Sequence, residues 1–168
     1  AEPIPGLALA FSAEPLGVLF GLIASFLWIV TTVYSIGYMR GHGEAHQTRF
    51  YAFFAIAMGC TMGVAFADNL FTLFVFYELL TLSTYPLVTH AGTREARQGG
   101  RTYLGILMAT SMGFLLLAVV WTWQLTGNVR FTSGGILAGA ASPLVIGILF
   151  ALYVFGIGKA ALMPFHRW

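Results

Sequence analysis

Charge is what this chain has least of: eight Lys and Arg and six Asp and Glu make up only 8% of its 168 residues. Soluble domains carry roughly 25% charged residues, so the deficit excludes an ordinary globular enzyme and points to an integral membrane protein. A formal net charge of +2 is too small to suggest nucleic acid as a partner. No cluster of four to eight basic residues flanks an apolar run, so no lipid-recognition patch is read either. Cysteine occurs once, at Cys60. That excludes an internal disulfide and leaves too few thiolates for a metal site, so Cys60 reads as a small buried side chain. Lysine also occurs once, at Lys159. The N-terminal AEPIPGLALAFSAEPLG has neither Met nor a basic region, and does not read as a signal peptide. The last residues, HRW, follow an apolar run without a polar tail, so both ends read as cut and a longer parent protein is expected.

What the chain does have is apolar length: 58% hydrophobic residues, 15 Phe and 20 Gly, the last frequent in membrane helices. Charges mark off five candidate spans near the ~20 residues that cross a bilayer. They run from about Leu16 to Met39, Phe50 to Ala67, Asn69 to Val88, Thr102 to Leu125, and Pro143 toward Trp168. Pro15 and Pro143 suit first-turn positions, and Ser142 suits an N-cap. TGNVRFTSGGILAGAAS, between the fourth and fifth spans, reads as a loop. Arg40 and Arg49 lie in one loop and Arg94, Arg97 and Arg101 in another, whereas the opposite face carries Arg130, Asp68, Glu2 and Glu14. The positive-inside bias makes the two basic loops cytoplasmic and residues 1–15 an extracytoplasmic stretch, with residues 16–168 a transmembrane domain. Gly59 and Gly63 form a GxxxG-type pair, a spacing that lets helices approach but that also recurs by chance in Gly-rich spans.

Glu78 stands in the middle of the third span, with no other charge between Asp68 and Arg94. An ionisable group at a membrane helix centre costs about 2.5–3.5 kcal/mol on insertion scales, which makes it a functional candidate. At about 100° per residue, Tyr85 and Thr89 fall within about 20° of Glu78, and Thr81 about 60° away. This predicts a polar stripe toward the cytoplasmic end, with Pro86 freeing the carbonyl of Leu82. The plain alternative is a carboxyl buried for packing alone.

Lys159 supplies the opposite sign in the fifth span. Gly156 and Gly158 precede it, and Pro164 removes the amide that would bond the Ala160 carbonyl. A breakable helix beside an intramembrane charge suits ion-coupled transport, because unwound backbone survives at that depth only where it is buried or lines water. The alternative is a lysine snorkelling to the interface. His166 lies seven residues further on, on the Lys159 face of a continuing helix, and could pass a proton near neutral pH. Its alternative is an interfacial residue beside Arg167 and Trp168. Depth limits the pairing. Glu78 falls about 13 Å below the start of its span and Lys159 about 24 Å below Pro143, so the two meet only if the fifth helix starts high, tilts or breaks. Asp68 reads as an N-cap or interface residue or an outer proton collector, and His90 with Gly92 as a helix C-terminal cap. His42 and His46 lack a third ligand for a metal. No cofactor-binding, nucleophilic or phosphate-binding motif is present.

Three stretches in this order, YSIGYM at 34–39, FADNLFTLFVFYELLTLSTYPLVTH at 66–90 and GKAALMPFHRW at 158–168, resemble the antiporter-like subunits shared by complex I and Mrp-type cation/proton antiporters. TLSTYPLVTH is most similar to the D-type members among the Mrp proteins. The resemblance implies an all-α, polytopic transmembrane helix bundle, in which the five spans match the family's third to seventh helices. It places the family's intramembrane glutamate on Glu78 and its broken-helix lysine on Lys159. Two inverted five-helix repeats are implied for the parent, of which this chain carries part of the first.

The implied function is proton translocation within a multisubunit Na+/H+ antiporter of the cell inner (cytoplasmic) membrane. Glu78, Lys159 and His166 would form the relay, with other membrane subunits as partners and no cofactor or nucleic acid. Two alternatives remain. One is a proton-pumping subunit of an NADH:quinone oxidoreductase, a membrane hydrogenase or a bicarbonate-uptake complex. The other is a structural scaffold in which the charges fix packing only.

Overall fold

A computed structural model describes residues 7–166. Arg167, Trp168 and Glu2, named above from the sequence, lie outside them. Helix α1 spans Pro15–Gly41, α2 Gln47–Ala65 and α3 Leu70–Val88. Helix α4, Arg94–Thr110, continues through a π turn, Ser111–Leu115, into α5, Leu116–Thr126. Helix α6, Pro143–Gly156, is followed by a single 3-10 turn, Gly158–Ala160. The chain is an all-helical, multi-pass membrane bundle, and four of its rods are long and apolar enough to cross a bilayer.

Each helix forms where apolar length meets a local stop. Pro15 opens α1 at a position where a missing amide is harmless. Asn69 closes the N-terminus of α3, its side-chain oxygen accepting the Thr72 amide at 2.7 Å. Thr93 does the same for α4, accepting from Ala96 at 3.1 Å. This cap starts α4 eight residues before the expected Thr102. The 33 residues of Arg94–Thr126 extend about 50 Å at ~1.5 Å per residue. The hydrocarbon is only about 30 Å thick, so the arginine-bearing first turns project beyond it.

The last span departs from expectation in the other direction. Helix α6 ends at Gly156 rather than running toward Trp168. Its 14 residues cover only about 21 Å, short of the ~30 Å of hydrocarbon. Pro164 is not the cause of the break, for the helix has already stopped eight residues earlier. The end of α6 is closely packed. A Cβ on Gly156 would lie 2.7 Å from the Leu115 amide nitrogen in the π turn, and one on Gly158 would strike the Thr110 hydroxyl.

Helices α2 and α3 form the most extensive contact in the bundle. Gly63 faces the Phe76 ring so closely that a Cβ would overlap it, whereas Gly59 has nothing within 4 Å. Only half of the GxxxG pair is therefore a packing site. Helix α1 lies at the edge, with Leu16, Leu22, Phe26 and Val33 exposed. At the end bearing the N-terminal stretch, Phe11 bridges to Ala67 and Asn69 to Arg130. At the other end, an Arg49 side-chain nitrogen reaches the His90 carbonyl at 3.4 Å. The two basic loops thus share one end of the bundle.

Candidate functional site

Glu78 lies at mid-length on α3, where 19 residues amount to about 28 Å of helix. It is 7% exposed, and neither carboxylate oxygen has a hydrogen-bond partner among the described residues. An ionised carboxylate buried in that way is strongly disfavoured unless a counter-charge or a proton accompanies it.

The break after Gly156 brings Lys159 to the same depth. Its backbone amide donates to the Tyr77 hydroxyl at 3.1 Å. Its ammonium donates to the Tyr77 carbonyl at 3.0 Å and to the Thr81 hydroxyl, and lies 3.5 Å from the centroid of the Tyr77 ring. The partners of Lys159 flank Glu78 in sequence, yet no Glu78–Lys159 ion pair forms. Among the described residues the one ion pair is Asp68–Arg130, 2.9 Å. Of the three ways in which the depths could be reconciled, the structure shows the break, with the Lys159 ammonium bonded at mid-α3.

Around this centre the bundle is pinned by hydroxyls. Tyr77 packs with Phe74 of α3 and Leu115 of the π turn. In the π turn the Ser111 hydroxyl bonds back to the Leu107 carbonyl at 2.8 Å, and the widened turn provides the surface on which Gly156 rests. Tyr153 ties α6 to α5 through Thr122, 2.8 Å, and the Ala118 carbonyl, 3.2 Å. Toward the basic end, the Thr84 and Tyr103 hydroxyls are 2.7 Å apart. The expected stripe is divided. Thr81 faces Lys159, while Tyr85 and Thr89 pack against α4, where a Cβ on Gly100 would lie 3.2 Å from the Tyr85 ring.

The other candidates are placed as follows. His166 is exposed, and the helix that would have put it on the Lys159 face ends at Gly156. The neighbouring Phe165 ring packs against Phe114 and Phe155, at 5.7 and 6.3 Å. Asp68 is not the N-cap of α3. That role belongs to Asn69, and Asp68 binds Arg130 instead. The C-cap after α3 is Thr89, while His90 has its ring edge-on to Phe50 at 5.4 Å and both ring nitrogens buried without partners among the described residues. His42 Nδ1 is 2.9 Å from the Tyr38 carbonyl. Tyr77 was missed by sequence reasoning. The available signal was a hydroxyl inside an apolar run of aromatics, which requires a partner once buried.

Residues 67–168 match the family described as NADH:quinone oxidoreductase/Mrp antiporter, TM. The chain is 31% identical over 158 residues to NADH-quinone oxidoreductase subunit N of Desulforudis audaxviator, covering 92% of this chain and 31% of that protein. It is 30% identical over 172 residues to Hydrogenase-4 component B of Escherichia coli, covering 100% of this chain and 25% of that protein. It is 26% identical over 170 residues to one of the Na(+)/H(+) antiporter subunits of Alkalihalophilus pseudofirmus, covering 98% of this chain and 21% of that protein. The chain therefore spans about a fifth to a third of the length of these relatives.

Proposed function

The chain belongs to the NADH:quinone oxidoreductase/Mrp antiporter transmembrane family, and on that premise we propose that it relays protons across the cytoplasmic membrane within a multisubunit Na+/H+ antiporter. Glu78 and Lys159 are the two intramembrane stations, and His166, exposed on the segment that follows the break, is the third residue of the proposed relay. The observation that carries this reading is the position of the Lys159 ammonium. It lies against mid-α3, on the residues flanking a buried carboxylate without partners among the described residues.

The chemistry follows from the low dielectric. When the ammonium approaches Glu78, each charge stabilises the other. When they separate, each is left without a counter-charge, and proton transfer relieves both: Glu78 takes a proton up and Lys159 gives one up. Geometry and protonation are thereby coupled through the segment after Gly156 that carries Lys159.

The test is Glu78→Gln in the intact assembly, with proton movement measured per assembled complex. The amide keeps the shape and cannot carry the proton, so translocation falls roughly 100-fold or more. Unchanged translocation with normal assembly contradicts the relay.

A second reading keeps the same relay and changes the driving force, making this a proton-pumping subunit of a redox-driven complex. It is favoured by the relatives named as quinone oxidoreductase and hydrogenase components, at 31% and 30% identity. Na+-driven proton movement without any redox substrate supports the antiporter. Proton movement that needs electron transfer and ignores Na+ supports the alternative.

A further inference from the structure

We propose that Tyr77 and Thr81 form a second docking position for the Lys159 ammonium, so that Lys159 works between two seats: the Tyr77–Thr81 seat occupied here, and Glu78. This rests on the relay reading above and adds the residues that hold the ammonium off the carboxylate.

Three features distinguish a built seat from incidental contact. First, Tyr77 engages Lys159 at both ends: its hydroxyl accepts the Lys159 amide at 3.1 Å, and its carbonyl accepts the ammonium at 3.0 Å. The first bond gives a partner to an amide that the end of α6 leaves outside helical bonding. The second bond, with the ring face 3.5 Å away, gives the cation a desolvated but favourable environment. Second, Thr81 is fully buried with its hydroxyl shared between the ammonium and the Tyr77 carbonyl, the latter at 3.1 Å. The desolvation cost of this buried hydroxyl is offset by its bonds, whereas Val would fill a similar volume and offer the cation no acceptor. Third, Glu78 stands between these two residues in sequence with both oxygens unpartnered among the described residues. The competing seat is therefore open and on the same helix.

A charged hydrogen bond contributes about 1.5–3 kcal/mol, so loss of one from this seat shifts the balance between the two positions about tenfold or more. Tyr77 and Thr81 are positioning residues, and the relay runs at full rate only when the two seats are close in free energy.

The test compares Thr81→Val, which keeps shape and loses the hydroxyl, with Thr81→Ser, which keeps the hydroxyl and loses a methyl. Both are measured in the intact assembly as proton translocation per assembled complex, beside Glu78→Gln. The seat predicts that Thr81→Val falls about tenfold while Thr81→Ser stays near wild type. Packing alone predicts the reverse order, and Thr81→Val at wild-type rate overturns the seat. If Thr81→Val fails to assemble, Tyr77→Phe and Tyr77→Leu decide, since Phe keeps a face for the cation and Leu does not. Equal rates for those two overturn the proposal. If Glu78→Gln abolishes translocation while Thr81→Val leaves it intact, the seat fails and the relay stands. Unchanged translocation in Glu78→Gln defeats the relay, and the seat with it.

Discussion

Gly156→Ala is the smallest change that should uncouple the break from the site. The new Cβ would lie 2.7 Å from the Leu115 nitrogen and 2.8 Å from its Cα and Cβ, all held within the π turn, with no flexible side-chain end among them. Ordinary contact begins near 3.5 Å, so the end of α6 must withdraw by about 0.7–0.8 Å. Carried three residues along, that shift takes the 3.0 and 3.1 Å bonds of Lys159 to Tyr77 toward ~3.8 Å, beyond hydrogen bonding. Overpacking costs about 1–3 kcal/mol, and the better helix propensity of Ala offsets up to about 1 kcal/mol. The net loss of stability is then only ~0–2 kcal/mol. The expected signature is a near-normal thermal midpoint for the purified assembly with proton translocation reduced about tenfold, since the lost charged bonds are individually larger. Gly147→Ala, in the same helix with nothing within 4 Å, is the control and should behave as wild type. Wild-type translocation by Gly156→Ala would refute the claim that close packing on the π turn sets the position of Lys159.

Other consequences are more local. Gly63→Ala, against the Phe76 ring, should lower stability by about 1–3 kcal/mol, while Gly59→Ala should be neutral or slightly stabilising; matching thermal midpoints would contradict the division of the GxxxG pair. Asn69→Ala removes both the cap on Thr72 and a 2.8 Å bond to the Ala8 carbonyl, and should cost about 1–2 kcal/mol in a denaturation assay. Asp68→Asn should matter little. Its partner Arg130 is 67% exposed, and exposed pairs contribute about 0–1 kcal/mol, so a loss above ~2 kcal/mol would mean that the pair closes more than a loop.

Most of the spans were legible because charge gathers at the helix ends and in the loops between them. Glu78 and Lys159 stood out for the same reason, as charges where none are cheap. The end of α6 was not legible in the same way. Pro164 drew attention to the wrong bond, because α6 ends at Gly156, where it packs against a π turn some forty residues earlier. The early start of α4 was hidden by its arginines, which read as loop although Thr93 caps a helix there. The Asp68–Arg130 pair and the embrace of Lys159 by Tyr77 join residues 62 and 82 positions apart. Neither leaves a periodic trace in the sequence. Tyr77 in particular sits among phenylalanines and reads as one more ring.

If Glu78 and Lys159 act on one proton path, their losses must overlap. A double-mutant cycle on proton translocation per assembled complex reads this overlap, using Glu78→Gln, Lys159→Gln and the two together. Residues that act as one unit are strongly non-additive. A shared path predicts that the double variant is no slower than the slower single variant. Losses that multiply would place the two residues on separate functions and contradict the relay.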